Sequence, residues 1–343
     1  MTAGCFLFRR NVPILTHKRQ TLGKGLPLVG ARVLLGCGGL SSRRALALCS
    51  GQMSVFRRHA ACMAFPADES WVILSPIEAS IKRKIEAVGT PLSEWDIHIY
   101  RGVLTGCNEA FIIPTARRDE ILAACRDEDE RRRTAELIRP ILRGRDIKRY
   151  GYEWAELWII GTHNGVRGKF PRIDIEEYPA VKAHLDQYWD KIAVRDDQGA
   201  TPYNLRNCAY WEDFEKPQIL WIELSDEPKF CFAEKFVSLN TIFFLTGENI
   251  HHILGLLNSK LITWYFKHCI GTTSGVGTNR WLKYTIERLP IAGVDPRVEE
   301  FATLLCEDDT ENREEIDYKL SHIVCELYKL TPEEIDFISN NVQ

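Results

Sequence analysis

Ile99 to Ile113 reads IYRGVLTGCNEAFII. A β-prone run breaks at Arg101-Gly102, turns through Thr105-Gly106-Cys107-Asn108 and resumes in Phe111-Ile112-Ile113. Glycines at 102 and 106 open backbone conformations closed to other residues, while Thr105 and Asn108 are short polar side chains able to bond neighbouring backbone or an outside ligand. Two readings compete: a hairpin turn, or a loop presenting polar groups to a partner. The rest of the chain has to decide between them.

The chain after this stretch is dense in regular elements. Ala116 to Arg139 is charged and helix-friendly, with Asp127-Glu128-Asp129-Glu130 directly before Arg131-Arg132-Arg133. Opposite charges three and four residues apart support a solvated helix. IRPILRGRDIKRY, Ile138 to Tyr150, then carries Arg139, Arg143, Arg145, Lys148 and Arg149 between the breaks at Pro140 and Gly144 and the end of the block. It is the strongest phosphate-binding candidate, with a buried Arg145-Asp146 region organising the domain as the competing reading. Tyr152 to Ile160 reads as a strand and Tyr178 to Trp189 as a helix. In TPYNLRNCAYWEDFEKPQILWIEL, the aromatic residues Tyr203, Tyr210, Trp211, Phe214 and Trp221 read as core, and Tyr203, Asn204, Arg206 and Asn207 as polar enough to face a groove. Ile219 to Leu224 is a strand, and Phe230 to Leu245 gives two more across Ser238-Leu239-Asn240. His251 to His268 traces a helix with an apolar stripe, interrupted at Asn258-Ser259-Lys260. Its paired His251 and His252 point apart on a helix, which disfavours a metal site. GTTSGVGTNRW, Gly271 to Trp281, is either a flexible loop or a backbone-rich surface for phosphate or base edges, and lacks the G-K-[ST] ending of a Walker loop. Ile286 to Ile291 closes the body. Two helices follow over Asp295 to Leu330, and Thr331 caps a last turn.

Upstream, Trp71 to Leu74 reads as a strand, and Ile77, Ile81, Ile85 and Val88 share one face of a helix whose Lys82, Arg83 and Lys84 are solvated. Residues 1–67 differ in kind. They hold ten Lys or Arg and no Asp or Glu, so the remainder carries 34 basic and 47 acidic residues, a formal −13 against −3 for the whole. They read as a basic arm on DNA, as an organelle transit peptide, or, preferred here because the composition changes at Asp68, as sequence from a misplaced start that does not fold natively, with Met53 or Met63 opening a shorter product. A body this acidic can meet a nucleic acid only through a local basic surface.

The 343 residues contain no apolar run long enough to span a bilayer. Eleven scattered cysteines without a C-x-x-C pair suit reduced thiols in a cytoplasmic protein and argue against a structural zinc site.

Six blocks in order carry a family resemblance: residues 101–113, 138–150, YNLRNCAYWEDFEKPQILW at 203–221, LLNSKLITWYF at 256–266, LPI at 289–291 and IDYKLSHIVCELYKLTPEEI at 316–335. Together they resemble the TaqI-like C-terminal specificity (target-recognition) domain of type IIG restriction–modification enzymes and their adenine-specific DNA methyltransferase relatives. The resemblance implies an α+β fold: a mixed-sheet target-recognition domain at 68–291 with packed helices, then a C-terminal helical tail at 292–343. It implies double-stranded DNA as partner, and a methyltransferase domain elsewhere that flips out an adenine and methylates it from S-adenosylmethionine. Catalytic, cofactor and metal residues are not expected in this chain. It has neither an F-x-G-x-G loop nor an (N/D/S)-P-P-(Y/F) motif, Asp295-Pro296-Arg297 differing in its last positions. The E-x-K of Glu227-Pro228-Lys229 with Asp213 upstream is a spacing that chance produces. S-adenosylmethionine, and magnesium for a nuclease, belong to the parent enzyme. Where the family usually has Lys-Pro-Lys, this chain has Lys216-Pro217-Gln218, which bears on phosphate contact at 218 and not on the fold.

On this reading Arg143, Arg145, Lys148, Arg149, Lys260, Lys267, Arg280 and Lys283 position the duplex through phosphates, joined by Arg101 in the DNA-binding set. Thr105, Asn108, Asn204, Arg206, Thr273 and Asn279 are the candidates for base edges, since Arg reads guanine and Asn adenine bidentately. The chain is then a binding module, a fragment or split-gene product of a larger enzyme. Alternatives are a complete or partly active adenine methyltransferase or restriction endonuclease, and a specificity subunit that works beside a separate catalytic chain, docked through the Ile316 to Leu327 helix.

Overall fold

A computed structural model of the protein describes residues 4–7, 60–63, 74–273, 278–307 and 311–341. The chain divides into two compact units, Met1–Ile73 and Leu74–Gln343. In the first, β1 (Gly4–Leu7) pairs antiparallel with β2 (Ala60–Met63). The rest of the basic segment, and all but Leu74 of the strand expected at 71–74, lie outside the described residues.

The second unit holds β3 (Thr90–Pro91), β4 (Ile97–Arg101), β5 (Ile112–Pro114), β6 (Ile138–Leu142), β7 (Leu157–Ile160), β8 (Gln218–Ile222), β9 (Cys231–Ala233), β10 (Val237–Ser238), β11 (Ile242–Gly247), β12 (Thr272–Thr273), β13 (Asn279–Arg280) and β14 (Pro290–Ile291). One four-stranded sheet runs β4-β11-β8-β9 and is antiparallel throughout; the other runs β10-β6-β7-β5, with β10 parallel to β6. With helices on both, the fold is α+β.

The β4-β11-β8-β9 sheet lies between two cores. Successive side chains of a strand point to opposite faces, so a strand covered on both sides must be apolar without alternation. Ile219 and Trp221 of β8, with Phe243 and Leu245 of β11, enter a core shared with the helices after Ile250. Leu220, Ile242 and Phe244 enter the other, shared with the second sheet and with the helix Pro179–Asp186. Only such two-sided burial accounts for the uninterrupted runs ILWI and IFFL.

The hairpin reading of 99–113 does not hold. β4 pairs with β11 and β5 pairs with β7, so the stretch passes from one sheet to the other. After Arg101 the backbone crosses β10 and β11, Gly102 N–H donating to Ile242 O (2.9 Å) and Val103 N–H to Ser238 O (2.7 Å). A Cβ on Gly102 would stand 2.1 Å from Leu239 O, so close approach and not an unusual dihedral requires glycine there. Gly106 is the residue with positive φ, 68°. A four-residue helix, Asn108–Phe111, then leads into β5.

Of the other elements, the charged stretch after 115 is two helices, Thr115–Ala123 and Glu128–Leu137. The region expected to hold two strands across 238–240 holds three, β9 to β11. The long helix at 251–268 breaks where expected. Ile250–Leu257 ends, Ser259 caps Lys260–Tyr265 by accepting from Ile262 N–H (3.2 Å), and a π-helical turn, Phe266–Ile270, follows. Asn258 interrupts the helix because its amide bonds both backbone groups of Phe230, at 2.9 and 3.2 Å. Buried His252 spends its Nε2 on Ala292 O (3.0 Å), and burial lowers its pKa.

The segment from 292, read as a tail, is built into the first core. Val298, Ala302, Leu320, Val324 and Ile338 are all buried there, and Gly255 lets Pro296–Cys306 approach, since a Cβ would meet Val298 Cγ1 at 2.9 Å. The last helix, Pro332–Asn341, is tied to the first helix of the unit, Pro76–Val88, through Glu334. Its carboxylate accepts from Ser80 Oγ (2.7 Å), Lys84 Nζ (2.6 Å) and Thr331 N–H (2.7 Å). Burial alone would raise its pKa, but these donors outweigh burial and hold it at about 2. Folded pKa below unfolded pKa means stabilisation that is present above about pH 4.3 and lost as pH falls towards 2. Glu334→Gln is therefore expected to cost about 2 kcal/mol at pH 7, a deficit that vanishes towards pH 2, read by urea denaturation across pH.

Candidate nucleic-acid interface

β4, β8 and β13 end beside one another and deliver three charged side chains to one place. Glu223, directly after β8, is the centre: its Oε1 accepts from Arg280 Nη2 at 2.7 Å and its Oε2 from Arg101 Nη2 at 3.3 Å. Arg101 also donates through Nε to Asn240 O (2.6 Å) and lies over the Phe243 ring at 5.5 Å. Two guanidiniums on one carboxylate leave a local excess of positive charge. Arg280 is fixed from below, because Trp281 stacks on Phe266 with centroids 3.8 Å apart and its Nε1 donates to Ser225 O (2.8 Å). Lys283 reaches back to Ile99 O (3.0 Å), and Asn279 donates to Asp226 O (3.3 Å). Gly144 packs close to Ile222 and Thr241, the neighbours of Glu223 and Asn240, and Arg145, the next residue, is exposed.

Beside Arg101 opens a cleft of about 330 Å³, bounded also by Leu104, Arg206, Asn207, Tyr210 and Asn240. Tyr210 stacks on Tyr100 at 4.4 Å and donates its hydroxyl to Arg101 O (2.8 Å). Burial pushes the Tyr210 hydroxyl up to about 12, so it stays a donor. Arg206 is exposed, 3.4 Å from Asp197. Asn207 also borders a second, shallower hollow formed by residues 164–172.

The structure thus brings Arg101, Arg206, Asn279, Arg280 and Lys283 to one stretch of surface, with Arg145 exposed on the turn after Gly144. Others are engaged elsewhere. Arg149 makes a two-pronged ion pair with Asp317 (2.6 and 2.7 Å) and donates to Asn258 O (2.8 Å), joining the domain to its C-terminal helices. Arg143 is paired with buried Asp146 (2.8 Å), so the organising acid of the 138–150 block is Asp146, and Lys148 pairs with Glu153 (3.2 Å). Lys260 is exposed and Lys267 half-buried, both in the helical layer. Thr105 and Asn204 are enclosed: Thr105 donates to Asn108 Oδ1 (2.6 Å), which leaves exposed Asn108 as the member open to solvent. Asn204 bonds Thr201 (2.7 Å) and Ile173 O (2.9 Å). Thr273 lies in β12 opposite Asn279; its side chain is outside the described residues. Gln218 is fully buried and donates to Phe236 O (2.8 Å), so the side chain at 218 does not face a phosphate. Among the described residues no group of three or more His, Cys, Asp or Glu is placed to hold a metal, and no helix is long and apolar enough to cross a membrane.

Sequence reasoning missed Glu223, Asn240 and, above all, Arg195. The Arg195 guanidinium is buried without a carboxylate in ion-pair reach among the described residues. It donates to the carbonyls of Thr105, Pro202 (3.0 Å) and Asn204 (2.5 Å) and lies 4.3 Å over the Phe111 ring. Burial pushes its pKa down to about 10, still a cation at pH 7. It thereby fastens the 105 loop to the 202–204 loop. No local pattern marks it, because all its acceptors are main-chain groups.

Residues 139–291 match the family model of the TaqI-like C-terminal specificity domain. That span contains β7 to β14, all but the first residue of β6, and most of the cleft. Among solved structures, the type IIL restriction–modification enzyme MmeI in complex with DNA is similar in fold, with a TM-score of 0.50 at 15% identity over 73% of this chain and 35% of that one. The type IIG restriction endonuclease BpuSI matches with a TM-score of 0.42 at 12% identity over 76% and 34%. The chain spans about a third of the length of each.

Replacing Arg195 by methionine strands three carbonyls, two of them buried. A loss of about 2–4 kcal/mol in urea denaturation is expected, partly recovered by Arg195→Lys.

Proposed function

We propose that this chain is a DNA target-recognition module of a restriction–modification system, and that the surface from Arg280 through Glu223 and Arg101 to Arg206 meets double-stranded DNA. One observation carries the reading: the span that matches the specificity domain, 139–291, also supplies Arg206, Asn207, Tyr210 and Asn240 of the cleft and the Glu223–Arg280 pair beside it.

The mechanism is binding. Arg101, Arg145, Arg280 and Lys283 would neutralise phosphates, and Arg206, Asn207 and Asn279 carry the side-chain donors that would meet base edges. Glu223 holds Arg101 and Arg280 apart from solvent rotamers, so less side-chain entropy is lost when a phosphate arrives. Adenine methylation and any cleavage belong to other parts of the system, in the same polypeptide or a separate chain. S-adenosylmethionine and magnesium would bind there. The free cysteines among the described residues, three of them buried, suit a reducing, cytoplasmic setting.

Anisotropy titration of the full chain with mixed-sequence duplexes should show affinity that falls steeply with salt, and selection from a random duplex pool should return a short consensus. Arg280→Ala should weaken all duplexes alike and lower the salt slope by about 1. Salt-independent binding, or none, overturns the proposal.

A further inference from the structure

Most cations of the body are already neutralised. Arg126, Arg131, Arg132 and Arg133 face Glu130, Glu128 and Asp129, and Arg143, Lys148 and Arg149 face Asp146, Glu153 and Asp317. The loop His163–Ile173, HNGVRGKFPRI, is the opposite case. It contains no acid, and Arg167, Lys169 and Arg172 are exposed and make no ion pair with a described residue.

The loop is also built to hold a shape. Its base closes where Ile173 N–H donates to His163 O (3.2 Å), and its neck where Val166 N–H donates to Phe170 O (2.9 Å) and Lys169 N–H to Val166 O (3.0 Å). Gly165 and Gly168 have φ of 68° and 82°, values that other L-residues reach only under strain. At Gly165 a Cβ would also meet Arg172 N at 2.4 Å. Phe170 anchors the loop, its ring edge-on to His163 at 5.0 Å, and His163 in turn lies 5.5 Å from Trp211. Asn164 bonds Asn207 and accepts from Ala200 N–H (2.7 Å), joining the loop to the wall of the cleft. The resulting hollow, of about 620 Å³, ends at Asn207, where the cleft begins.

We propose that this loop is a phosphodiester clamp: Arg167, Lys169 and Arg172 grip the backbone of the duplex whose bases face the neighbouring cleft. Three unneutralised cations on a six-residue arc suit successive phosphates. An acidic body needs such a local concentration of charge to hold a polyanion. The inference rests on the DNA-binding reading and adds a site outside the residues expected from sequence.

The test is the salt dependence of duplex binding by the full chain and by its Arg167→Gln/Lys169→Gln/Arg172→Gln variant, with a mixed-sequence duplex between 50 and 200 mM salt. Three lost phosphate contacts should lower the slope of log K against log salt by about 2.7, so the advantage of the unaltered chain shrinks about 40-fold across that range. Thermal unfolding should be unchanged, since the three side chains touch solvent. If the unaltered chain binds and the variant keeps its slope, the clamp is overturned while the DNA reading stands. If the variant alters the selected consensus at unchanged slope, the loop reads bases and the clamp is again overturned. If the unaltered chain fails to bind duplex, both fall. A calorimetric titration with inorganic phosphate should show no saturable binding; saturation there would assign a free-anion site and overturn the clamp.

Discussion

Everything in the second unit depends on one sheet being buried on both faces. Trp221 and Phe243 hold it to the helical layer, and Leu220 and Phe244 hold it to the mixed sheet. Because neighbouring residues of the same strand serve opposite cores, a shift of register by one would exchange the two cores wholesale. The ends of β4, β8 and β11 are therefore held in place, and Arg101, Glu223 and Asn240 stand at or just beyond those ends.

From this follows a division of labour among polar groups. Those inside the fold hold loops together: Arg195 between 105 and 204, Asn258 on Phe230, Arg149 on Asp317 and Glu334 on Lys84. Those at the strand ends stay at the surface, Arg101 and Arg280 sharing Glu223, while Arg167, Lys169 and Arg172 of the 164–172 loop are exposed and make no ion pair with a described residue. Residue type does not separate the groups, since arginine and asparagine occur in both; burial and partner do.

Much of the fold was legible in the sequence. The apolar spacing of Ile77, Ile81, Ile85 and Val88 announced its helix, the break at Asn258-Ser259-Lys260 was correctly placed, and ILWI read as a strand because so dense an apolar run has few other uses. What failed was pairing. Residues 99–113 carry the marks of a hairpin, yet β4 finds its partner at β11, over a hundred residues on, where the energetics are those of a shared core and not of a local turn. The site was legible in part for the same reason. Arg101, Arg206 and Arg280 could be nominated as cations, but whether an arginine meets an Asp317 or open solvent is decided by segments remote in sequence. The exception is the 163–173 loop, whose want of acids is open to view in the sequence, whereas four of the five cations of the denser 138–150 block, all but Arg145, are neutralised by the fold.

Amide hydrogen exchange on the full chain, with and without a mixed-sequence duplex, tests most directly the claim that these strand ends and loops are the DNA-facing surface. Slowed exchange on DNA addition is predicted at 101–108, 164–172, 204–210 and 279–283, with the helices 296–306, 313–327 and 332–341 unchanged. Protection confined to those C-terminal helices would contradict it.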